Sequence, residues 1–102
     1  MNDPQPDPLW GALRQRLGTT ARIQRDGDAI EASLIEVEPL RAGQERSFRR
    51  LPFAAVFCAQ GQQPLCNQGT YRIAFGDLDL DLFVVPIGPG PDGGMRYEAI
   101  FN

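Results

Sequence analysis

From Ala21 to Phe101 apolar side chains recur at every second position in short runs, and pairs of turn-forming residues punctuate the runs. That period marks half-buried β-strands, because successive side chains of a strand point to opposite faces. Ala21 and Ile23 alternate with Thr20, Arg22 and Gln24. Asp26-Gly27 then offers a tight hairpin turn, and Ile30, Ala32 and Leu34 continue one face of the returning strand. Ile35 and Val37 take the opposite parity, a phase slip that predicts a bulge or bend near Leu34. Pro39 ends the strand, and RAGQERS, Arg41 to Ser47, reads as a polar, mobile loop.

The second half repeats the pattern with bulkier residues. Leu51, Phe53, Ala55 and Phe57 share one face of a third strand, in which Pro52 lacks a ladder donor and so marks an edge or the strand's beginning. GQQP, Gly61 to Pro64, turns the chain, and Tyr71, Ile73 and Phe75 share a face of the fourth strand before Gly76-Asp77 turns it again. In LDLDLFVVPI, Leu78, Leu80, Leu82 and Val84 alternate with Asp79, Asp81 and Phe83 before both parities become apolar. This predicts a strand running from a half-exposed position into a fully buried one. GPGPDGG, Gly88 to Gly94, reads as a hairpin loop with Asp92-Gly93 at its tip, and Met95, Tyr97, Ala99 and Phe101 form the inward face of the last strand.

Ahead of the strands the period is near four. Asp7 can cap a helix, Pro8 fits its first position, Leu9, Leu13 and Leu17 form a stripe beside Trp10, and Gly18 supplies the stop, which predicts a helix over 8–17. Gly11 weakens it by about 1 kcal/mol relative to Ala, so packing rather than propensity must hold it. Residues 1–6 read as a flexible arm, and 7–102 as a single globular domain. The expected fold is mainly β: a six-stranded antiparallel meander curled into a small barrel or sandwich, with the short N-terminal helix plugging one end. LPFAAVFC, Leu51 to Cys58, echoes MRYEAIFN, Met95 to Asn102. Two strands facing one core independently select large-small-large on the buried parity.

A chain of 102 residues buries enough surface to fold without metal or disulfide. Its ten cationic residues are all arginine, and the net charge is -3. A weakly acidic surface disfavours nucleic acid and anionic lipid, and the cluster Arg41, Arg46, Arg49 and Arg50 reads as a solvated loop whose stems cover apolar surface. The N-terminal MNDPQPDP has neither a basic start nor an apolar run, and no stretch approaches the ~18 apolar residues of a membrane span. A cytoplasmic location is expected, and the two cysteines suit it because cytosolic thiols stay reduced.

The residues that are missing constrain chemistry most. Without histidine the chain lacks Ser-His and Cys-His activation and imidazole metal ligands, and without lysine it lacks Schiff-base chemistry and a P-loop cation. No cofactor is expected. Cys58 and Cys66 flank the GQQP turn and read as unpaired core or rim residues, with redox pairing or oligomer contacts as the alternatives. Asp77, Asp79 and Asp81 fall on one strand face about 6.8 Å apart. They read as the wet face of an amphipathic strand, the alternatives being a hard-cation site or an acid/base pair. GPGPDGG resembles a phosphate cradle, but Pro89 and Pro91 lack the N–H groups of one. PLCNQGTY, Pro64 to Tyr71, is the one dense polar set in which side chains are expected to lock a loop onto the core.

PLCNQGTYRI, LFVVPIG and the terminal YEAIFN together resemble an uncharacterised bacterial family of about one hundred residues, the likeness running from about Phe53 to Asn102. Members of that family are often encoded beside phage-tail-collar-like proteins. The resemblance therefore implies a part in a tail-derived or secreted assembly and supplies no activity. The leading functional expectation is a non-enzymatic structural or interaction module with a protein partner or a second copy of itself. A rival is a small-ligand-binding barrel in which Trp10, Phe57, Tyr71, Phe83 and Tyr97 line a pocket and Arg72 or Arg96 fixes an anionic group. A third is an enzyme using two of Asp77, Asp79 and Asp81.

Overall fold

The computed structural model describes residues 5–6, 8–40 and 50–101. Six antiparallel strands close into a barrel, as the alternation predicts: β2 (Thr20–Arg25), β3 (Asp28–Pro39), β5 (Phe53–Ala59), β6 (Gly69–Ala74), β7 (Asp79–Pro89) and β8 (Met95–Phe101). A two-residue parallel bridge, β1 (Gln5–Pro6) with β4 (Arg50–Leu51), stands apart from it. Leu51 thus pairs with the N-terminal segment, and the third barrel strand begins only after Pro52. Pro52 instead accepts a hydrogen bond from the Leu40 amide through its carbonyl.

The order around the barrel is β2-β3-β5-β8-β7-β6, so two three-stranded meanders are joined edge to edge. β5 pairs with β8 and β2 with β6, which forces residues 60–68 to cross one end of the barrel to reach β6. The other end is closed by α1 (Pro8–Arg14). Leu13 is fully buried, and Leu9 and Trp10 pack against the core. The helix is shorter than the leucine spacing predicts. The Gln15 amide still reaches the Gly11 carbonyl, but Arg16 and Leu17 bond three residues back, and Gly18 at φ +85° turns the chain. Leu17 is therefore exposed and leaves the stripe.

The Gly18 amide donates to the Leu34 carbonyl at 2.8 Å, and the Leu34 amide donates to Thr19 at 3.0 Å. The register of β3 against β5 slips between Leu34 and Glu36 at that point, which is the bulge the parity change predicts. The slip restores Val37 to the core and leaves Ile35 outside. The expected passage of β7 into a fully buried stretch does not occur. Val84 is buried, but Phe83, opposite Thr70 in the ladder, keeps the outward parity of Asp79 and Asp81 and is exposed, and Ile87 is exposed where β7 runs on past the end of β6 and a second register shift lies between Pro86 and Gly88. The strand buried throughout is β5, whose seven residues FAAVFCA are all shielded.

Phe53, Ala55 and Phe57 face the interior opposite Phe101, Ala99 and Tyr97. The echo in sequence is a single layered contact between neighbouring strands. Phe53 stacks on Phe101 at 4.4 Å and 3°, and Trp10 meets Phe53 edge-on at 5.1 Å, tying the helix to the barrel. The expected arm at 1–6 lies outside the described residues for 1–4, as do the Asp7 cap and the Arg41–Ser47 loop. Replacing Phe101→Ala removes one half of the stacked pair. It is expected to lower unfolding free energy by about 3 kcal/mol, read from the urea midpoint; a midpoint equal to wild type would contradict this packing.

Candidate functional site: the loop-covered end of the barrel

Residues 60–68 leave every strand ladder, so their backbone groups need partners from side chains. The buried Tyr97 hydroxyl, at the middle of β8, accepts the Cys66 amide at 2.9 Å. Tyr71 donates its hydroxyl to the Asn67 carbonyl at 2.8 Å, and Arg25 Nη1 donates to the Leu65 carbonyl at 2.9 Å. Gln63 Oε1 accepts from the Glu31 amide at 2.8 Å while its amide group donates to the Glu31 carbonyl at 2.7 Å and to that of Gln60. Gln60 reaches the hydroxyls of Thr20 at 2.9 Å and Ser33 at 3.0 Å. Of the polar set expected to lock the loop, the Tyr71 side chain does so, while Tyr97, Arg25, Gln60 and Gln63 lie outside it. No local signal marks them, because their partners are 27–40 residues distant along the chain except for the short-range bond to Gln60.

Charge at this end is neutralised locally. Arg25 forms a two-pronged pair with Asp28 at 2.9 and 2.8 Å, which holds the exposed Asp28 carboxyl below its ordinary value and raises the guanidinium. Burial pushes the Cys66 thiol up, opposed by the neighbouring Arg25 and by Tyr97. Burial likewise raises the Tyr97 phenol and, with Asp92 beside it, the Cys58 thiol. Both cysteines are free and buried, and both are held in the protonated, weakly nucleophilic form near neutral pH.

Beside the loop, the hairpin at 90–94 abuts β5. The Gly90 amide bonds the Gly94 carbonyl at 2.7 Å, and Asp92 Oδ1 accepts from the Gly94 amide at 3.2 Å. A Cβ at Gly94 would lie 2.0 Å from the Ala59 carbonyl oxygen, so only glycine fits there. An open groove of about 320 Å³ lies on the outer wall between Ile35, Cys58, Gln60, Pro91 and Asp92.

The seven residues of the expected ligand pocket do not line one cavity. Phe57 and Tyr97 are fully buried inside the barrel, and Tyr71 is half-buried under the loop. Trp10 packs at the helix end with Arg14 over its ring at 5.1 Å. Arg72 and Phe83 lie on the outer wall, Arg72 paired with Asp81 at 2.6 Å, and Arg96 points outward toward the Gly88 carbonyl. The acidic trio is divided as well. Asp77 sits in the turn before β7, pairs with Arg16 at 2.8 Å and is held below its ordinary value by it, while Asp79 and Asp81 remain on the exposed strand face. Among the described residues no group of three metal-binding side chains converges, and no charged side chain is buried.

A family described as a domain of unknown function, DUF6916, matches residues 11–101. The chain belongs to this family. No curated protein and no solved structure matches the chain. The DUF6916 match spans all six barrel strands and the crossing loop, so the pinned end is part of the family domain rather than an appendage. Among the described residues no helix is long and apolar enough to cross a membrane.

Replacing Tyr97→Phe keeps the ring and strips the acceptor from a buried amide. It is expected to cost about 1–3 kcal/mol, the penalty of a buried unpaired N–H, in urea unfolding. A loss under about 0.5 kcal/mol would show that the loop does not depend on this bond.

Proposed function

We propose that this DUF6916 chain is a non-enzymatic structural or protein-interaction module whose partner is another protein or a second copy of itself. The observation that supports the reading is the apolar, solvent-excluded interior: Ile23, Ile30, Phe57, Ile73, Val84 and Tyr97 are each 0% exposed, which leaves the outer surface as the face other molecules reach. The arginine–aspartate pairs on that surface, Arg16–Asp77, Arg25–Asp28 and Arg72–Asp81, tie neighbouring elements together, which is a structural use of the carboxylates. The finer form of the proposal, an accessory part in a phage-tail-like assembly, rests on the resemblance carried by PLCNQGTYRI, LFVVPIG and YEAIFN. The cytoplasm is its proposed compartment, where two free thiols stay reduced.

Light scattering combined with native mass spectrometry tests the proposal on the purified chain. The expected species is heavier than the 11.3 kDa protomer and carries no small molecule. A species that stays monomeric up to about 1 mM would contradict the second-copy form of the proposal, and one that retains a small molecule would contradict the module reading.

A further inference from the structure

We propose that Asp26, in the turn between β2 and β3, is a modification site at which the backbone isomerises to isoaspartate, and that the change loosens the anchor Arg25 provides for the crossing loop. The rearrangement needs an aspartate whose following amide nitrogen is unhindered, and glycine, which has no Cβ, leaves that nitrogen open. Asp26 and Asp92 are the two aspartates followed by glycine, and no asparagine is. In the first step the Gly27 nitrogen bonds to the side-chain carboxyl carbon of Asp26, and a carboxyl oxygen departs as water with the amide proton. Water then adds to the main-chain carbonyl carbon of Asp26 and breaks the original peptide C–N bond. The backbone now runs through the side-chain methylene, and the former main-chain carbonyl has become a free carboxylate. One water leaves and one enters, with no change of oxidation state.

The fold separates the two sites. Asp26 and Gly27 are exposed and form a two-residue turn between the paired Arg25 and Asp28. Among the described residues no hydrogen bond engages the Asp26 carboxylate or the Gly27 amide. A Cβ at Gly27 would meet nothing within 4 Å, so no packed neighbour restrains the turn as the ring closes. At the other site the Gly93 amide donates to the Gly90 carbonyl at 3.0 Å. Asp92 Oδ1 accepts from the Gly94 amide at 3.2 Å, one residue beyond the nitrogen that would attack. Gly94 in turn lies too close to the Ala59 carbonyl for the hairpin to shift freely. Both reacting groups at Asp92 must be released before they can meet, whereas those at Asp26 are already free.

The consequence reaches the loop through Arg25. Its pairing with Asp28 is the last rung before the turn, its guanidinium holds the Asp28 carboxylate at 2.9 and 2.8 Å, and its Nη1 donates to the Leu65 carbonyl at 2.9 Å. An extra methylene in a two-residue turn displaces that rung and the guanidinium with it.

The test ages the full chain for weeks at body temperature and near-neutral pH, folded and in concentrated urea, and maps isoaspartate by methyltransferase labelling and peptide mass spectrometry. In the folded chain about tenfold more label is expected at Asp26 than at Asp92, and in urea the two are expected to react alike. Amide spectra of the aged folded chain are expected to show a second set of signals at Arg25, Asp28, Leu65 and Cys66, absent from Asp26→Ser aged in parallel. Label at Asp92 equal to that at Asp26, or a folded chain in which Asp26 stays unlabelled, would overturn the site. A second set of signals confined to residues 26 and 27, or one that persists in Asp26→Ser, would overturn its link to the loop.

Discussion

The hydrogen bond from the Cys66 amide to the Tyr97 hydroxyl joins the two parts of the molecule that topology keeps apart. Tyr97 belongs to the last strand, on the inward face, and Cys66 to the segment that carries the chain from one meander to the other across the barrel end. Because β8 closes on β5 and β6 closes on β2, the crossing must be held down for both seams to form. A phenol reaching up from the core does this with one polar atom while its ring fills the interior. The amide and guanidinium groups of Gln63 and Arg25 complete the attachment from the outside.

That ring and the layered aromatics below it make the barrel interior apolar and closed to solvent. The phenylalanine pair Phe53–Phe101 and the helix residues Trp10 and Leu13 close the opposite end. On the proposed reading function falls to the outside, and the outside is uneven. Arginine–aspartate pairs stud it, and at the loop-covered end the loop amides and Leu65 stand beside the Arg25–Asp28 pair.

Much of this was legible in the sequence because strand alternation, turn chemistry and parity slips are local signals. The Asp26-Gly27 hairpin, the Gly18 stop and the bulge beside Leu34 all arise from neighbours within a few residues. The order of the strands was not legible, since pairing β5 with β8 joins residues about forty apart, and no periodicity encodes that choice. The same limit explains the burial of β7. Val84 and Val85 read alike along the chain, but β6 ends opposite Val84, and so the stretch from Val85 to Pro89 lacks a neighbour on that side. At the candidate site Tyr71 stood out within a dense polar stretch, whereas Cys66 and Asn67 take part through their backbone alone. Arg25 and Gln63 were silent because their roles exist only after the barrel has closed.

Native-state hydrogen exchange of the Cys66 amide tests most directly whether the crossing is integral to the barrel. If the Tyr97 hydroxyl locks it, that amide exchanges only through global opening, as slowly as the central amides of β5 and β8. Exchange at the rate of an unprotected loop amide, with β5 and β8 still protected, would show that the loop opens on its own and that the account of how this barrel is closed is wrong.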